Sequence, residues 1–421
     1  MKKIVTIILS TILSMSALIN PVSAELSTTI EEKGDFLYTY DGVSVEAKYK
    51  KRNSKQEILR IEFPEKNNGK EISKIGFTNF DDDIKAENLK VNTIYVPKYV
   101  RNVCIESVDY PELSDYIERF ISLRKIEVDK NNPYLCSKDG VLYSKDMKTI
   151  HLYPNRNSMI VYKMPNDIED YTGSPLLTQR NNLKKLYLSE NLKRIGYYFA
   201  AKCKNLEYVY IGENIKEIGE EAFVDNLKLK KVKINSDKLK LIDKQAFSAC
   251  TSLKKINLPS SVKNIETSAF WGCKSLNSIK LPKNLKKIGE AAFTNCKSIK
   301  SITIPKGIKK IEKTTFAGCS SLKKVTILSN IKSVGYTAFS DCKKLSKVVI
   351  KNKNKAPKIA KIKGKPEPYS DESAFSNTKK GIKFYVKNKK VAKSLKKQLK
   401  GSGVRNAKIL VGKKVVYKNV K

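Results

Sequence analysis

Cysteines fall 23 residues apart at Cys250, Cys273, Cys296, Cys319 and Cys342. The same apolar frame surrounds each one. Phe stands three residues before the Cys slot and Ile or Val eight before it, as Phe247 and Ile242 in one coil and Phe316 and Ile311 in another. Apolar residues return three, six and eight residues after it, as Leu253, Ile256 and Leu258, or Leu322, Val325 and Ile327. Self-similarity at so short a fixed period specifies a stacked solenoid, in which each coil buries its apolar face only against its neighbours. A chain of this kind has no single central pocket, so its working chemistry must be sought on its surface.

The positions six and eight residues past the slot alternate with polar ones, the pattern of a half-buried strand. Proline follows at Pro259, Pro282 and Pro305 and ends each strand, because it cannot donate to a ladder. The Ala-Phe-x-x-Cys stretch is too short for a full helix and predicts one helical or 3₁₀ turn on the far side of the coil. Weaker copies lie upstream at Ile58-x-x-Ile61-x-Phe63-Pro64, Val91-x-x-Ile94-x-Val96-Pro97, Leu123-x-x-Ile126-x-Val128 and Met159-x-x-Tyr162-x-Met164-Pro165. Two coils depart from the frame: Phe199-Ala200 stands where the others read Ala-Phe, and Asn226 occupies a Cys slot.

This motif resembles the BspA-type, or Treponema-type, leucine-rich repeat. Residues 34–40 (Gly-Asp-Phe-Leu-Tyr-Thr-Tyr) and 68–72 (Asn-Gly-Lys-Glu-Ile) are similar to the opening coil of such proteins. Asn132-Pro133-Tyr134, Asp139-Gly140-Val141-Leu142-Tyr143 and Tyr153-Pro154 resemble the hairpin they often insert, and Asp-Gly is itself a hairpin-turn signal. The resemblance implies an α/β repeat fold, a leucine-rich-repeat solenoid with a parallel sheet on one face and short helical or 3₁₀ turns on the other. It also implies a non-catalytic, adhesin-like role toward host or neighbouring-cell proteins.

The organisation expected is a signal peptide at 1–24, an N-terminal capping coil at 25–88, and degenerate repeats at 89–182 with an inserted hairpin near 129–157. Regular repeats at 183–350 and a Lys-rich C-terminal cap at 351–421 complete one continuous array. The signal is read from Lys2-Lys3, the apolar run Ile4 to Ile19 and the small-residue site Val22-Ser23-Ala24. No later segment has membrane-spanning length. A secreted or non-covalently surface-held protein follows, cleaved near Ala24.

The chain has 83 Lys and Arg against 42 Asp and Glu, a formal charge of +41. Residues 351–421 alone hold 22 Lys and one Arg against Glu367, Asp371 and Glu372, a formal +20. Ala374-Phe375 and the alternating Ile382-x-Phe384-x-Val386 mark this region as folded, joined through a Pro- and Lys-rich link at 355–370. Lys389, Lys390, Lys396, Lys397, Lys413 and Lys414 are its expected polyanion contacts. Anionic cell-wall polymers are the first such partner and extracellular nucleic acid a second; plain solubilisation of a long array is the competing reading.

Catalytic constellations are not legible. There is no Gly-x-Ser-x-Gly, phosphate loop or His-Glu-x-x-His, and no cofactor is implied. His151 is the only His and reads as an exposed structural residue; Asp81-Asp82-Asp83 reads as a solvated loop. Six of the eight cysteines sit in the interior slot and read as free, small apolar side chains with apolar neighbours; bridging between stacked neighbours is the alternative. Cys104 and Cys136 lie off the ladder, and Trp271 reads either as an exposed contact or as half-buried packing.

The remaining surface is the outward side of the strands, five and seven residues past the slot. Tyr208, Tyr210, Lys231, Lys233, Lys255, Asn257, Lys280 and Lys324 are the expected ligand contacts there, aromatic at one end and basic beyond. A solvated face of β-favouring residues is the alternative.

Overall fold

The apolar slots close into coils, each contributing one short strand to a parallel ladder. The computed structural model describes residues 5–6, 29–33, 35–40, 45–49, 58–77, 91–104, 123–172, 175–328, 331–360 and 373–420. Apart from Val5–Thr6, the signal read at 1–24 lies outside these residues, as do Asp81–Asp83 and positions 361–372 of the cap and its link. The chain divides into two compact units, Met1–Ser158 and Met159–Lys421.

In the first unit the weak repeats form the expected strands. Ile58–Glu62, Val91–Val96 and Lys125–Val128 make a parallel ladder in which Ile61, Ile94 and Ile126 are in register and buried. Thr29–Lys33, Phe36–Tyr40 and Val45–Tyr49 form an antiparallel meander, and the last of these pairs in parallel with Lys74–Phe77. The inserted hairpin pairs Leu135–Lys138 with Val141–Ser144. Its turn residues Asp139 and Gly140 both have positive φ, 53° and 77°, as a type I′ turn requires. A third antiparallel strand, Thr149–Leu152, extends it. That strand carries His151, which is half-buried rather than exposed, and burial holds its imidazole below the ordinary pKa.

In the second unit the regular coils stack in register. Strands Val161–Lys163, Lys185–Tyr187, Tyr208–Ile211, Lys231–Ile234, Lys255–Ile256 and Ser278–Ile279 form one front ladder. A second front ladder starts at Ser301–Ile304 and runs through Lys324–Ile327, Lys347–Ile350 and Lys383–Val386. The side ladder of two-residue strands is interrupted at the same coil step, between Lys287–Ile288 and Lys310–Ile311. The back of the coils continues across that step, where Ala291, Phe293 and Asn295 donate to Lys313, Thr315 and Ala317.

The back of each coil is built of tight turns. Ala246, Ser248 and Cys250 donate to Asp243, Gln245 and Phe247, three residues earlier, which is the 3₁₀ spacing. The intervening Gln245, Phe247 and Ala249 donate instead to Thr267, Ala269 and Trp271 of the next coil. Alternate amides therefore serve the coil and its neighbour in turn, which leaves no run for a helix. Gln245 and Ala249 reach this geometry with φ of 53° and 56°, and Ser268 and Gly272 repeat it one coil later.

The core holds two columns. Phe223, Phe247, Phe270, Phe293, Phe316, Phe339 and Phe375 stack with centroids 5.3–5.5 Å apart and planes within 14° of parallel. Phe199, displaced by the Phe-Ala inversion, still joins the column edge-on at 6.4 Å. Beside it runs the cysteine column, with all six thiols buried and free.

The C-terminal region is folded, and it continues the front ladder instead of ending it. Lys383–Val386 pairs in parallel with Lys347–Ile350, and Ala407–Val411 pairs in parallel with Lys383–Val386. A helix, Lys389–Leu399, makes the crossover that parallel neighbours require. Seven polar residues among its eleven hide this helix in the sequence. Lys414–Val420 closes the sheet as an antiparallel partner.

Candidate binding face

Three tyrosines gather on the outward side of the front strands. The register sets Tyr187 beside Tyr210, and Tyr208 and Tyr210 beside Lys231 and Lys233. The Tyr187 ring lies 5.4 Å from Tyr208 and 6.2 Å from Tyr210. Lysine ammonium groups sit over all three rings: Lys163 over Tyr187 at 5.9 Å, Lys231 over Tyr208 at 5.9 Å and Lys233 over Tyr210 at 5.2 Å. The rings are thus held in place by one another and by cations before any partner arrives.

Tyr210 is further fixed by its hydroxyl, which donates to Glu190 Oε1 at 2.6 Å. Partial burial and this carboxylate push its phenol up to about 12; burial, with Tyr187 nearby, also raises Tyr208. Both therefore present neutral hydroxyls at physiological pH. Half-buried tyrosines of this kind offer flat apolar area with a polar tip, at little cost in side-chain entropy.

The other expected contacts are outward but more dispersed. Lys255 pairs with Lys231 and with Ser278 across the ladder, while Asn257 and Lys280 are exposed beyond the short strands. Lys324 belongs to the second front ladder, in register with Lys347. Where the two ladders part, a shallow groove of about 390 Å³ is lined by Lys254, Ser275, Asn277, Ser298, Lys300 and Ser321. Tyr187 and Lys163 join the face in addition to the contacts expected from the sequence. Their coils lack a Cys, but Tyr187 lies one 23-residue period before Tyr210, and Lys163 lies 24 residues before Tyr187.

The lysines of the C-terminal region divide between two places. Lys389, Lys390, Lys396 and Lys397 lie on the helix, where Lys393 joins them on one exposed face opposite the buried Val391, Ala392, Leu395 and Leu399. No acidic residue occupies the first turn. Lys413 and Lys414 are exposed at the tip of the final hairpin, next to Gly412 at φ 59°.

The cysteine column has no reactive geometry, but its surroundings are not purely apolar as expected. Each thiol donates to a backbone carbonyl of the preceding coil: Cys203 to Leu177, Cys250 to Phe223, Cys273 to Phe247, Cys296 to Phe270, Cys319 to Phe293 and Cys342 to Phe316, all at 3.0–3.2 Å. Asn226 fills the same slot and donates to Ala200 O at 2.8 Å and Phe223 O at 2.9 Å. Thr378 fills it later and donates to Phe375 O at 2.8 Å, while the buried Arg180 fills it earlier and donates to Thr178 O at 2.8 Å. Burial pushes the thiols up, Cys203 and Cys319 to about 12, so the thiolate needed for nucleophilic or metal chemistry is suppressed. Off the ladder, Cys136 is free, half-buried and donates to Ser144 O at 3.3 Å; Cys104 closes strand Asn102–Cys104. Trp271 is exposed on a back turn. Among the described residues no group of three His, Cys, Asp or Glu side chains gathers as a metal site, and no helix is long and apolar enough to cross a membrane.

No curated protein matches the chain. Among solved structures it is similar to a leucine-rich repeat protein from Eubacterium ventriosum, at 23% identity over 57% of this chain and 65% of that one, with a TM-score of 0.42. It is also similar to the leucine-rich repeat protein of T. pallidum, at 25% identity over 49% of this chain and 86% of that one, with a TM-score of 0.37. A third is described as a leucine-rich cell surface protein from Faecalibacterium prausnitzii, at 16% identity over 83% of this chain and 94% of that one, with a TM-score of 0.41. The chain thus spans 65% of the length of the Eubacterium ventriosum protein. The family model of the BspA-type leucine-rich repeat region matches residues 171–280 and 240–360, in six copies. With the in-register coils already described, that match identifies residues 171–360 as a BspA-type leucine-rich repeat region.

Proposed function

We propose that this chain is an exported, non-catalytic surface or extracellular protein that binds other proteins through the outward strand face of its second unit, in the manner of an adhesin. The observation that carries the reading is the tyrosine cluster of Tyr187, Tyr208 and Tyr210, pre-ordered by Lys163, Lys231 and Lys233. Aromatic side chains that are half-buried and already ordered lose little freedom on binding, and solenoid sheets serve as extended contact surfaces. Export rests on the signal sequence at 1–24. The division into capping coil, degenerate repeats with a hairpin, regular repeats and basic cap belongs to the same proposal.

The test is binding of the purified chain to extracellular-matrix proteins and to whole neighbouring cells. Tyr208→Ala with Tyr210→Ala should weaken binding by tenfold or more, as truncation of central aromatic anchors does. Circular dichroism should be unchanged, since both rings lie outside the core. Undiminished binding by that variant would remove the face from the account.

A second reading has its own observation. The helix Lys389–Leu399 aligns five lysines on one face, which suits retention on anionic cell-wall polymers. No particular observation favours nucleic acid.

A further inference from the structure

The second front ladder carries an arrangement that neither the tyrosine face nor the helix contains. Its outward row reads Lys324, Lys347, Lys383 and Lys408, one lysine per strand. Register pairs each with the next: Lys324 with Lys347, Lys347 with Lys383, and Lys383 with Lys408. Adjacent strands lie about 4.8 Å apart, so four positive charges follow one another at roughly that interval.

Like charges directly opposite on neighbouring strands destabilise a sheet. Counter-charges stand beside other lysines of the unit, as Glu207 beside Lys230, Glu220 beside Lys244 and Glu266 beside Lys287, and the first front ladder sets only two lysines opposite each other, Lys231 and Lys255. Between described residues the ion pairs stop there. The four strands hold no Asp or Glu, and none of the four lysines has a carboxylate partner among the described residues. A local rule broken over four consecutive strands, relieved among the described residues only by the Tyr385 ring under Lys347, is the mark of a site that a ligand completes.

We propose that this lysine row is a track for a linear polyphosphodiester without bases, lying across the strands along the axis of the coils. The proposal rests on the reading that the C-terminal region takes an anionic polymer, but it assigns the contact to the sheet row and not to the helix. The spacing selects the polymer class. A chain with a phosphate in every short repeat can meet successive lysines, whereas a glycan with one carboxylate per disaccharide meets only some of them. The neighbouring row selects against single-stranded nucleic acid, which needs free aromatic faces for its bases. On these strands that row reads Thr326, Val349, Tyr385 and Leu410, and the one aromatic ring in it is covered by Lys347 Nζ at 4.4 Å. Leu410 is buried, and the half-buried Thr326 and Val349 suit a polymer backbone of short alditol units.

The experiment measures binding of the full chain to a purified poly(glycerol phosphate) chain over a range of salt concentrations. A single-stranded oligonucleotide and hyaluronan serve as comparators. Four phosphate contacts should give a log–log salt slope of about −3. Lys347→Gln with Lys383→Gln should weaken binding tenfold or more at low salt and reduce the slope by about 1 per lysine. The helix variant Lys393→Gln with Lys396→Gln should bind like the parent. Relief of repulsion should leave the row variant at least as heat-stable as the parent, and Lys324→Gln with Lys408→Gln, at the exposed ends of the row, provides a second pair. If the helix variant loses binding and both row variants keep it, the row is overturned and the basic-region reading survives. If the parent does not bind the polymer, both fall. Tighter binding of the oligonucleotide or of hyaluronan would overturn the polymer class.

Discussion

At the residue scale the cysteine slot shows how a repeat can mislead about chemistry. Its depth and size were legible, because every coil places an apolar frame around it. Its hydrogen-bonding role was not, because a period in hydrophobicity reports volume and not donors. The signal lay in the exceptions: Arg180, Asn226 and Thr378 differ in size and polarity, yet each donates from the slot to a nearby backbone carbonyl. The slot therefore selects a side-chain donor, and Cys is the least polar residue that supplies one. Thr and Val, nearly equal in shape, separate the two demands. Cys273→Thr should leave the protein about 1 kcal/mol more stable than Cys273→Val, the net value of one hydrogen bond, as read by urea denaturation. Equal stability, or a more stable Val variant, would show that apolar packing alone fills the slot.

At the scale of the element, strands were easy to read and the helix was not. Ile256, Ile279 and their equivalents alternate with exposed residues, so the two-residue period is visible even where the strand is two residues long. In Lys389–Leu399 only Val391, Ala392, Leu395 and Leu399 face inward, and seven polar residues hide that spacing. The tyrosine cluster was half legible for a related reason. Tyr208 and Tyr210 lie in a coil marked by Cys203, whereas Tyr187 lies in a coil whose slot holds Arg180. The phenylalanine column is the element that binds one coil to the next. Phe270→Ala should cost about 3–5 kcal/mol, the usual loss for a buried aromatic. Because Phe270 stacks on Phe247 and Phe293, hydrogen exchange should quicken in those two coils as well, while the helix near Leu395 keeps its protection. A neutral substitution would mean that the column does not couple the coils.

On the scale of the whole molecule the dominant quantity is charge. A formal +41 in one chain opposes its own compactness, and ion pairs between described residues do not extend past Lys287. Raising sodium chloride from about 0.05 M to about 0.5 M shortens the screening length and should raise the thermal midpoint, by roughly 2–4 °C for each kcal/mol of repulsion removed. A midpoint that falls with salt would show that attractive pairs outweigh repulsion.

The parting of the front ladders between Ser278–Ile279 and Ser301–Ile304 has a consequence for valency. It leaves the tyrosine cluster on one ladder and the lysine row on the other, while the unbroken hydrogen bonds along the back hold both to a single frame. From the strand of Tyr210 to that of Lys324 is five coil steps, or roughly 24 Å at strand spacing. Two weak contacts fixed at that reach act as one strong grip only on a partner long enough to touch both, and short fragments of the same partner gain none of that avidity.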